Sequence, residues 1–543
     1  MTTMRVLLCR WSIFVSVCFV LFLHGSASVY GQRPYFKLSS WYDWGKHGFS
    51  PFSLCQTCHQ EASRPNVVQK HDQCSENLLF VESRRRSDAC GLMVFDNDGH
   101  LVWMPSQSEF HNSRDFQVHN VNQQNFITFL SGNGVAGSVD AYTMLDSSYT
   151  IHKSFRAVGI VAGHLSGLHF TKAGTALVTV SQVPIDGQGH GKGDKFDTIF
   201  QEISLEYNQL LFEWRASQHY MASLTAKANS FPIQSVDKDV EGNYVISTRN
   251  TIICLSGKNG RPIWKLGGNA YEFQDLSGVA TLFSDSHRAS WHDNTTLLIT
   301  NNHPTNTNHK ALPAAMLVQL DVQNKTATLI KAFDAPKRLP SSLDTFQFLD
   351  GTILATGEHQ STAIEFSNSA ETLCETHFPT ARFQPSWMAN YRISKHQWSG
   401  HPNTTPELEV RPEEKAVYVS WNGATEADAW VLQSGPRQDG DLFIDHLMVV
   451  KEGYETRIQL PRHTEEYLRV VALDRKRKFL SKSAAVSKHV KHKGCPHSSR
   501  ASLMGMRNSG QGHNMLIAFA LLASIVLYFR RFAFWRIFDV RKT

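Results

Sequence analysis

Between about Tyr35 and His401 the chain repeats one short pattern, a turn residue opening an alternating apolar strand, and no stretch there carries long helical periodicity. Gly174-Thr175-Ala176-Leu177-Val178-Thr179, Gly242-Asn243-Tyr244-Val245-Ile246-Ser247 and Gly351-Thr352-Ile353-Leu354-Ala355-Thr356 are close copies, and Asn294 to Thr300 is a looser one. Tryptophan-ended strands fall between them: Gly99-His100-Leu101-Val102-Trp103, Leu210-Leu211-Phe212-Glu213-Trp214 and Gly260-Arg261-Pro262-Ile263-Trp264. Each strand alone is too short to bury its faces. Recurrence every ~50–70 residues suits blades of four-stranded sheet that bury those faces against one another. The expectation is an all-β chain with a β-propeller over residues 35–401.

A smaller unit is expected over 403–487. Ala416-Val417-Tyr418-Val419-Ser420-Trp421 alternates as a half-buried strand, and Ala429-Trp430-Val431-Leu432, Tyr454 to Leu460 and Tyr467 to Leu473 follow. The set resembles a fibronectin type III sandwich, with Trp421 in its core and Tyr467 as the corner tyrosine. An extra β-layer on the propeller is the alternative.

The two ends decide the expected compartment. Arg5 and Arg10 precede an apolar run from Trp11 to Leu23 that gives way to small residues, the layout of a signal peptide over 1–29. Met515 to Phe529 is uncharged and apolar, and Arg530, Arg531, Arg536, Arg541 and Lys542 follow. That places a transmembrane helix at 513–531 and the tail 532–543 in the cytoplasm. A basic linker, 488–512, precedes it. The chain is thus read as a single-pass type I membrane protein with a lumenal or extracellular ectodomain, which fits sequons at Asn294, Asn324 and Asn403 as glycosylation sites. A net charge of +6 over 543 residues is small, sits largely in the membrane-proximal stretch, and gives no nucleic-acid-binding module.

Outside the signal segment stand Cys55, Cys58, Cys74, Cys90, Cys254, Cys374 and Cys495. In an oxidising compartment disulfides are expected among them, with one cysteine left over; spacing leaves the pairing open. Cys55-Gln56-Thr57-Cys58-His59 also fits the pattern of covalent haem attachment, but structural disulfides are the reading adopted here and no cofactor is expected. Gly187 to Gly193 lacks the serine or threonine a phosphate loop needs at Gly193. His71, His100 and His111 lack ligand spacing, so no metal site is expected.

One segment carries more specific information. Phe231-Pro232-Ile233-Gln234-Ser235-Val236-Asp237-Lys238-Asp239, with the Gly242-Asn243 strand ending at Arg249, resembles the arylsulfotransferase (ASST) family, in a eukaryotic, fungal-type, membrane-anchored form. Landmarks in family order include Phe95 to Gly99, Leu145 to Tyr149, Phe200 to Ile203 with Leu211 to Arg215, and Ile263 to Gly268. The resemblance implies six blades and nucleotide-free transfer of a sulfuryl group between phenols through a transiently sulfated histidine. Such chemistry needs a neutral imidazole nucleophile, a second base for the phenol proton, and donors that hold the sulfuryl oxygens.

Carried over by position, that site is depleted. In Ser286-His287-Arg288-Ala289-Ser290-Trp291, His287 takes the nucleophile's place and Ser290 replaces an arginine. Ser166 and Pro232 replace two further histidines, Gln234 stands for an asparagine, and Arg249 keeps the place of a sulfate-binding arginine. His169, three residues from Ser166, would point away from it in a regular strand. The expected function is a catalytically impaired, arylsulfotransferase-like propeller that binds an anionic or sulfated small molecule or a protein partner. The alternative is an active aryl-sulfate:phenol sulfotransferase working through His287.

Overall fold

The computed structural model describes residues 49–489, apart from 51–61, 64, 84–90, 106–109, 111–112, 132–139, 161–163, 186–195, 221–230, 249, 269–271, 284–285, 302–314, 334–342, 358–361 and 379–390. The signal segment, the linker beyond residue 489, the apolar run 513–531, the tail, Arg249, the Gly187 to Gly193 loop, His111, and Cys55, Cys58, Cys90 and Cys495 lie outside them. Among the described residues no helix is long and apolar enough to cross a membrane.

Strands dominate, and they group into two compact units, one over 61–403 with 422–425, the other over 404–421 and from 426 onward. In the first unit six sheets of four or five strands succeed one another along the chain, antiparallel throughout save for the short strand Gln274–Asp275, which pairs parallel to Thr326–Phe333. One edge strand of each, called its first strand for its place in the sheet, is β1 (Arg114–Val121), β2 (His164–Phe170), β3 (Ser235–Lys238), β4 (Ser286–Trp291), β5 (Leu343–Phe348) or β6 (Tyr391–His396). Each is an edge strand of its sheet, and β6, β1, β2, β3 and β4 neighbour one another in that order, with β5 beside β6. This is a propeller-like arrangement around the six first strands.

The hairpins follow from the turn chemistry. At Asp96, Asp146 and Asp239 the carboxylate accepts the N–H groups two and four residues on, as in Asp239 with Glu241 at 2.9 Å and Asn243 at 2.7 Å. The residue three positions on then takes a positive φ, at Gly99 (78°), Tyr149 (64°) and Gly242 (87°). A turn closed by a left-handed residue matches the twist of adjacent strands. Between the sheets the apolar faces interleave; Phe200, Trp214, Tyr244 and Ile246, for example, form one core between the sheets of β2 and β3. Trp214 Nε1–H donates to Gly260 O across the same boundary.

The ring is closed by chain ends trading places. β6, late in sequence, pairs with Leu78–Ser83, while the early strand Asn66–Gln69 adds the outermost strand to the sheet of β5. A disulfide, Cys74–Cys374, spans 300 residues at this seam. Cysteine spacing alone leaves that pairing open. Cys254 is buried and free, and burial pushes its thiol up to about 12.

The second unit holds a three-stranded sheet (Glu407–Arg411, Ala416–Ser420, Glu455–Gln459) and a larger one built on Ala429–Gly435 and Tyr467–Leu473. Alternation along Tyr467–Leu473 places Leu468, Val470 and Ala472 inward. Trp421 is buried, with Nε1–H donating to Thr404 O. Trp430 is more deeply buried, donating to Thr456 Oγ1. Tyr467 heads its strand, but its hydroxyl makes no hydrogen bond among the described residues, so the bond that defines a corner tyrosine is not formed there.

Candidate functional site: the ring of first strands

The first strands carry polar side chains at every other position: Asp115, Gln117 and His119 on β1, Arg392, Ser394 and His396 on β6. Between them Phe116 and Ile393 are buried in the sheets. Strand alternation therefore turns one face toward apolar core and lines the centre with groups that ionise or hydrogen-bond.

Asp115 organises one side. Its carboxylate accepts from Arg392 NH1 at 2.8 Å, Tyr142 OH at 2.9 Å and Gln117 Nε2 at 2.8 Å. Burial alone raises a carboxyl pKa, but these partners more than offset it and hold Asp115 below its ordinary value. His119 hydrogen-bonds Thr128 Oγ1 at 2.8 Å, and burial, reinforced by the fields of His396, His169 and Arg288, pushes it down to about 3. Burial takes His396 down to about 4. Both imidazoles are neutral at physiological pH.

Asp237 organises the other side and joins three first strands. Its carboxylate meets His169 Nε2 of β2 at 3.1 Å, accepts the Trp291 N–H of β4 at 2.8 Å, and accepts the N–H of Lys238 on its own strand at 2.7 Å. Burial pushes its pKa up; these bonds pull it further down, so it stays ionised. Two residues earlier Ser235 Oγ accepts the Ala289 N–H at 2.9 Å and donates to Ala289 O at 3.1 Å. The Ser235 and Asp237 landmarks thus stitch β3 to β4.

Arg288, on β4, is exposed and has no hydrogen-bonded or ion-paired side-chain partner among the described residues. Protein still surrounds its guanidinium enough that burial lowers its pKa, with Asp237 and Asp115 acting in the opposite sense and Arg392 adding to the lowering.

The residues singled out from the sequence fall as follows. Pro232 and Gln234 precede β3, Pro232 partly buried and Gln234 exposed, its N–H bonded to Ser247 O at 2.9 Å. Ser290 is on β4, opposite Leu298. Ser166 and His287 lie on β2 and β4 at register shifts, between Leu165 and Gly167 and between Ser286 and Arg288. Bulges of this kind re-aim side chains near functional sites. His169, three residues beyond Ser166 on β2, engages Asp237 of the neighbouring sheet. Asn294, Asn324 and Asn403 are all exposed, and Asn324 Nδ2 donates to Asp321 at 2.8 Å.

Asp115, His119, Arg392 and His396 were missed in the sequence; their period-two polarity inside otherwise apolar strands was the available signal. Asp96, Asp98 and His100 bring ligand atoms within 4.8 Å of one another, but His100 bonds Asp96 at 3.0 Å and Lys70 bonds Asp98 at 2.5 Å, so the group is a self-satisfied turn.

The six-sheet ring lined by histidine, aspartate and arginine is that of a propeller-like protein with a polar centre. Residues 163–374 match the model of the arylsulfotransferase (ASST) family. Among curated proteins none matches. Similar solved structures include a protein of unknown function from Bacteroides caccae, at 12% identity over 57% of this chain and 97% of that one with a TM-score of 0.36. The extracellular domain of a hybrid two-component system from B. thetaiotaomicron is 9% identical over 77% of this chain and 55% of its own, TM-score 0.33. The Cps50 (Swd1) β-propeller domain of Myceliophteria thermophila is 11% identical over 64% and 93%, TM-score 0.23. Likenesses this loose say nothing about what this chain does.

Proposed function

We propose that the first unit is a six-bladed arylsulfotransferase-like propeller that binds a sulfated or otherwise anionic small molecule at its centre and turns it over poorly. The observation that carries this reading is the guanidinium of Arg288, on a first strand and with no hydrogen-bonded or ion-paired side-chain partner among the described residues, in a unit where Pro232 and Ser166 stand in place of family histidines. A cation without a fixed counter-ion supports oxyanion binding. Loss of one general base costs ~10²- to 10⁴-fold, and here two such positions are changed. Proline at 232 also lacks the N–H that the family residue carries. The second unit is read as a fibronectin type III-like support, with a signal peptide, glycans at the exposed sequons and a C-terminal anchor completing a type I membrane protein.

A second reading keeps transfer activity through His287, and its place at a bulge of β4 favours it. Full-length protein in detergent, mixed with 4-nitrophenyl sulfate and a phenol acceptor, separates the two. Binding without release of nitrophenol, and release restored in the P232H/S166H double variant, is the expected result. Fast wild-type release that disappears in H287A would establish the second reading, and absence of binding would remove both.

A further inference from the structure

The larger sheet of the second unit has one face against the three-stranded sheet and one turned away from it. Its strands run in the order Ile444–Val450, Ala429–Gly435, Tyr467–Leu473, Phe479–Lys482. Trp430, Leu432, Val470 and Ala472 point inward, and Trp430 bonds Thr456 across the core. The alternate positions therefore make the outer face. Strand register sets them in two rows, Val450, Ala429, Leu473 and Phe479 in one, Met448, Val431, Val471 and Lys482 in the next. Every member but Lys482 is apolar. Met448, Val450 and Phe479 are 53%, 56% and 58% exposed, with Val431, Val471 and Leu473 half-buried between them. The outer face of an antiparallel sheet is ordinarily polar, and a contiguous apolar one marks an interaction surface.

Directly before Phe479 the chain turns through Arg475, Lys476, Arg477 and Lys478, all exposed. Asp474 closes this turn: its carboxylate accepts the Lys478 N–H at 2.7 Å and its carbonyl the Arg477 N–H at 2.9 Å. Among the described residues only Arg477 of the four has a carboxylate partner, Asp428 at 2.8 Å. The turn needs none of the other three charges, and cations held within a Debye length of one another repel. Asp445, at the far end of the same face, is bonded to Gln433 at 2.6 Å. Apolar rows edged by unpaired cations suit the headgroup region of a bilayer, where the apolar side chains enter the acyl boundary and the cations meet lipid phosphates. A soluble polyanion would use the cations but leave Met448 and Val450 in water, and a second copy of the face carries the same positive sign. The bilayer is also close on the anchored reading, because residues 490–512, between His489 and the apolar run, reach at most ~80 Å when fully extended.

Resting on the reading that the chain is anchored through residues 513–531, we infer that the outer face of the second unit's larger sheet docks on a bilayer surface carrying anionic lipid, with Met448, Val450 and Phe479 entering it and Arg475, Lys476 and Lys478 binding its headgroups. The second unit then lies along the membrane on this sheet, and the three-stranded sheet faces away from it.

The test places full-length M448C, F479C and R457C variants in lipid nanodiscs, either of phosphatidylcholine alone or with phosphatidylserine at roughly 7:3. A membrane-impermeant maleimide is added, and its attachment at each position is followed by peptide mass spectrometry. Arg457 is the reference, exposed on the three-stranded sheet beside the inward Thr456. Anionic discs are expected to slow labelling at 448 and 479 by about 10-fold relative to neutral discs and to leave 457 unchanged. Adding R475Q/K476Q/K478Q, which removes only exposed and unpaired side chains, is expected to restore the neutral-disc rate. Equal rates in the two discs, slowing at all three positions alike, or slowing that survives the triple replacement overturns the inference and leaves the anchor standing. Protein recovered outside both kinds of disc overturns the anchored reading and the inference with it. Should M448C fail to fold, F479C reads the same face.

Discussion

Lys395 to Met is the substitution whose cost the structure fixes best. Lys395 Nζ lies 2.6 Å from Glu365, and the two side chains are 3% and 1% exposed. The ammonium also donates to Ser75 O at 3.0 Å, while Glu365 accepts the Thr352 hydroxyl at 2.5 Å and the Ser75 N–H at 2.6 Å. Burial lowers the Lys395 pKa, and Glu365 opposes that effect. The pair joins β6 to the sheet of β5 at the seam where the ring closes. Methionine keeps the chain length and leaves Glu365 buried with its charge uncompensated, which costs about 3–5 kcal/mol. With ~2.1 cal/mol/K of unfolding entropy per residue over roughly 350 residues, 4 kcal/mol lowers Tm by ~5 °C. Removing both charges in K395M/E365L strips the pair but also orphans the Thr352 hydroxyl and the Ser75 N–H, a loss of about 1 kcal/mol each. The double variant is therefore expected to be more stable than K395M alone. Urea unfolding followed by tryptophan fluorescence measures all the states of the cycle. A K395M loss below about 1 kcal/mol, or a double variant as damaged as the two single losses summed, would falsify the assignment of this pair as the closing contact.

Two further outcomes follow from the same structure. His119 and His396 have folded-state pKa values pushed down to about 3 and about 4 from an ordinary 6.5, so below 6.5 the unfolded chain binds protons that the folded chain refuses. Their contribution is complete above pH 6.5 and shrinks as the pH drops toward 4, by at most ~1.4 kcal/mol per histidine for each step of one pH. Urea midpoints that stay flat across that window would contradict their burial as neutral rings; Asp115 and Asp237, with lowered values, act only below 3.8. Reducing Cys74–Cys374 opens a loop spanning 300 residues and is expected to cost about 3–5 kcal/mol. Non-reducing peptide mapping should recover the two cysteines as one cross-linked species, with Cys254 alkylated only after unfolding; a free Cys374 in the native protein would refute the pairing.

Much of the architecture could be read from the chain. Turn residues with a period-two apolar pattern announce strands because alternation is a local property of extended backbone, and the Asp-led turns close on bonds within a few residues. Family landmarks such as Ser235 and Asp237 were recognisable for the same reason: a short segment carries them whole. Their work was not legible. Nothing local shows that Ser235 and Asp237 bond the backbone of β4, more than fifty residues away in sequence. Nor does it show that Cys74 reaches Cys374, or that Lys395 finds Glu365. The placement of His169 makes the point sharply. Its ring meets the carboxylate of Asp237 on the neighbouring sheet, a partner 68 positions on in sequence that no local pattern around His169 announces. Local sequence determines which elements form; which polar groups meet at their common centre depends on sheet closure and register, and those are settled only when the whole ring packs.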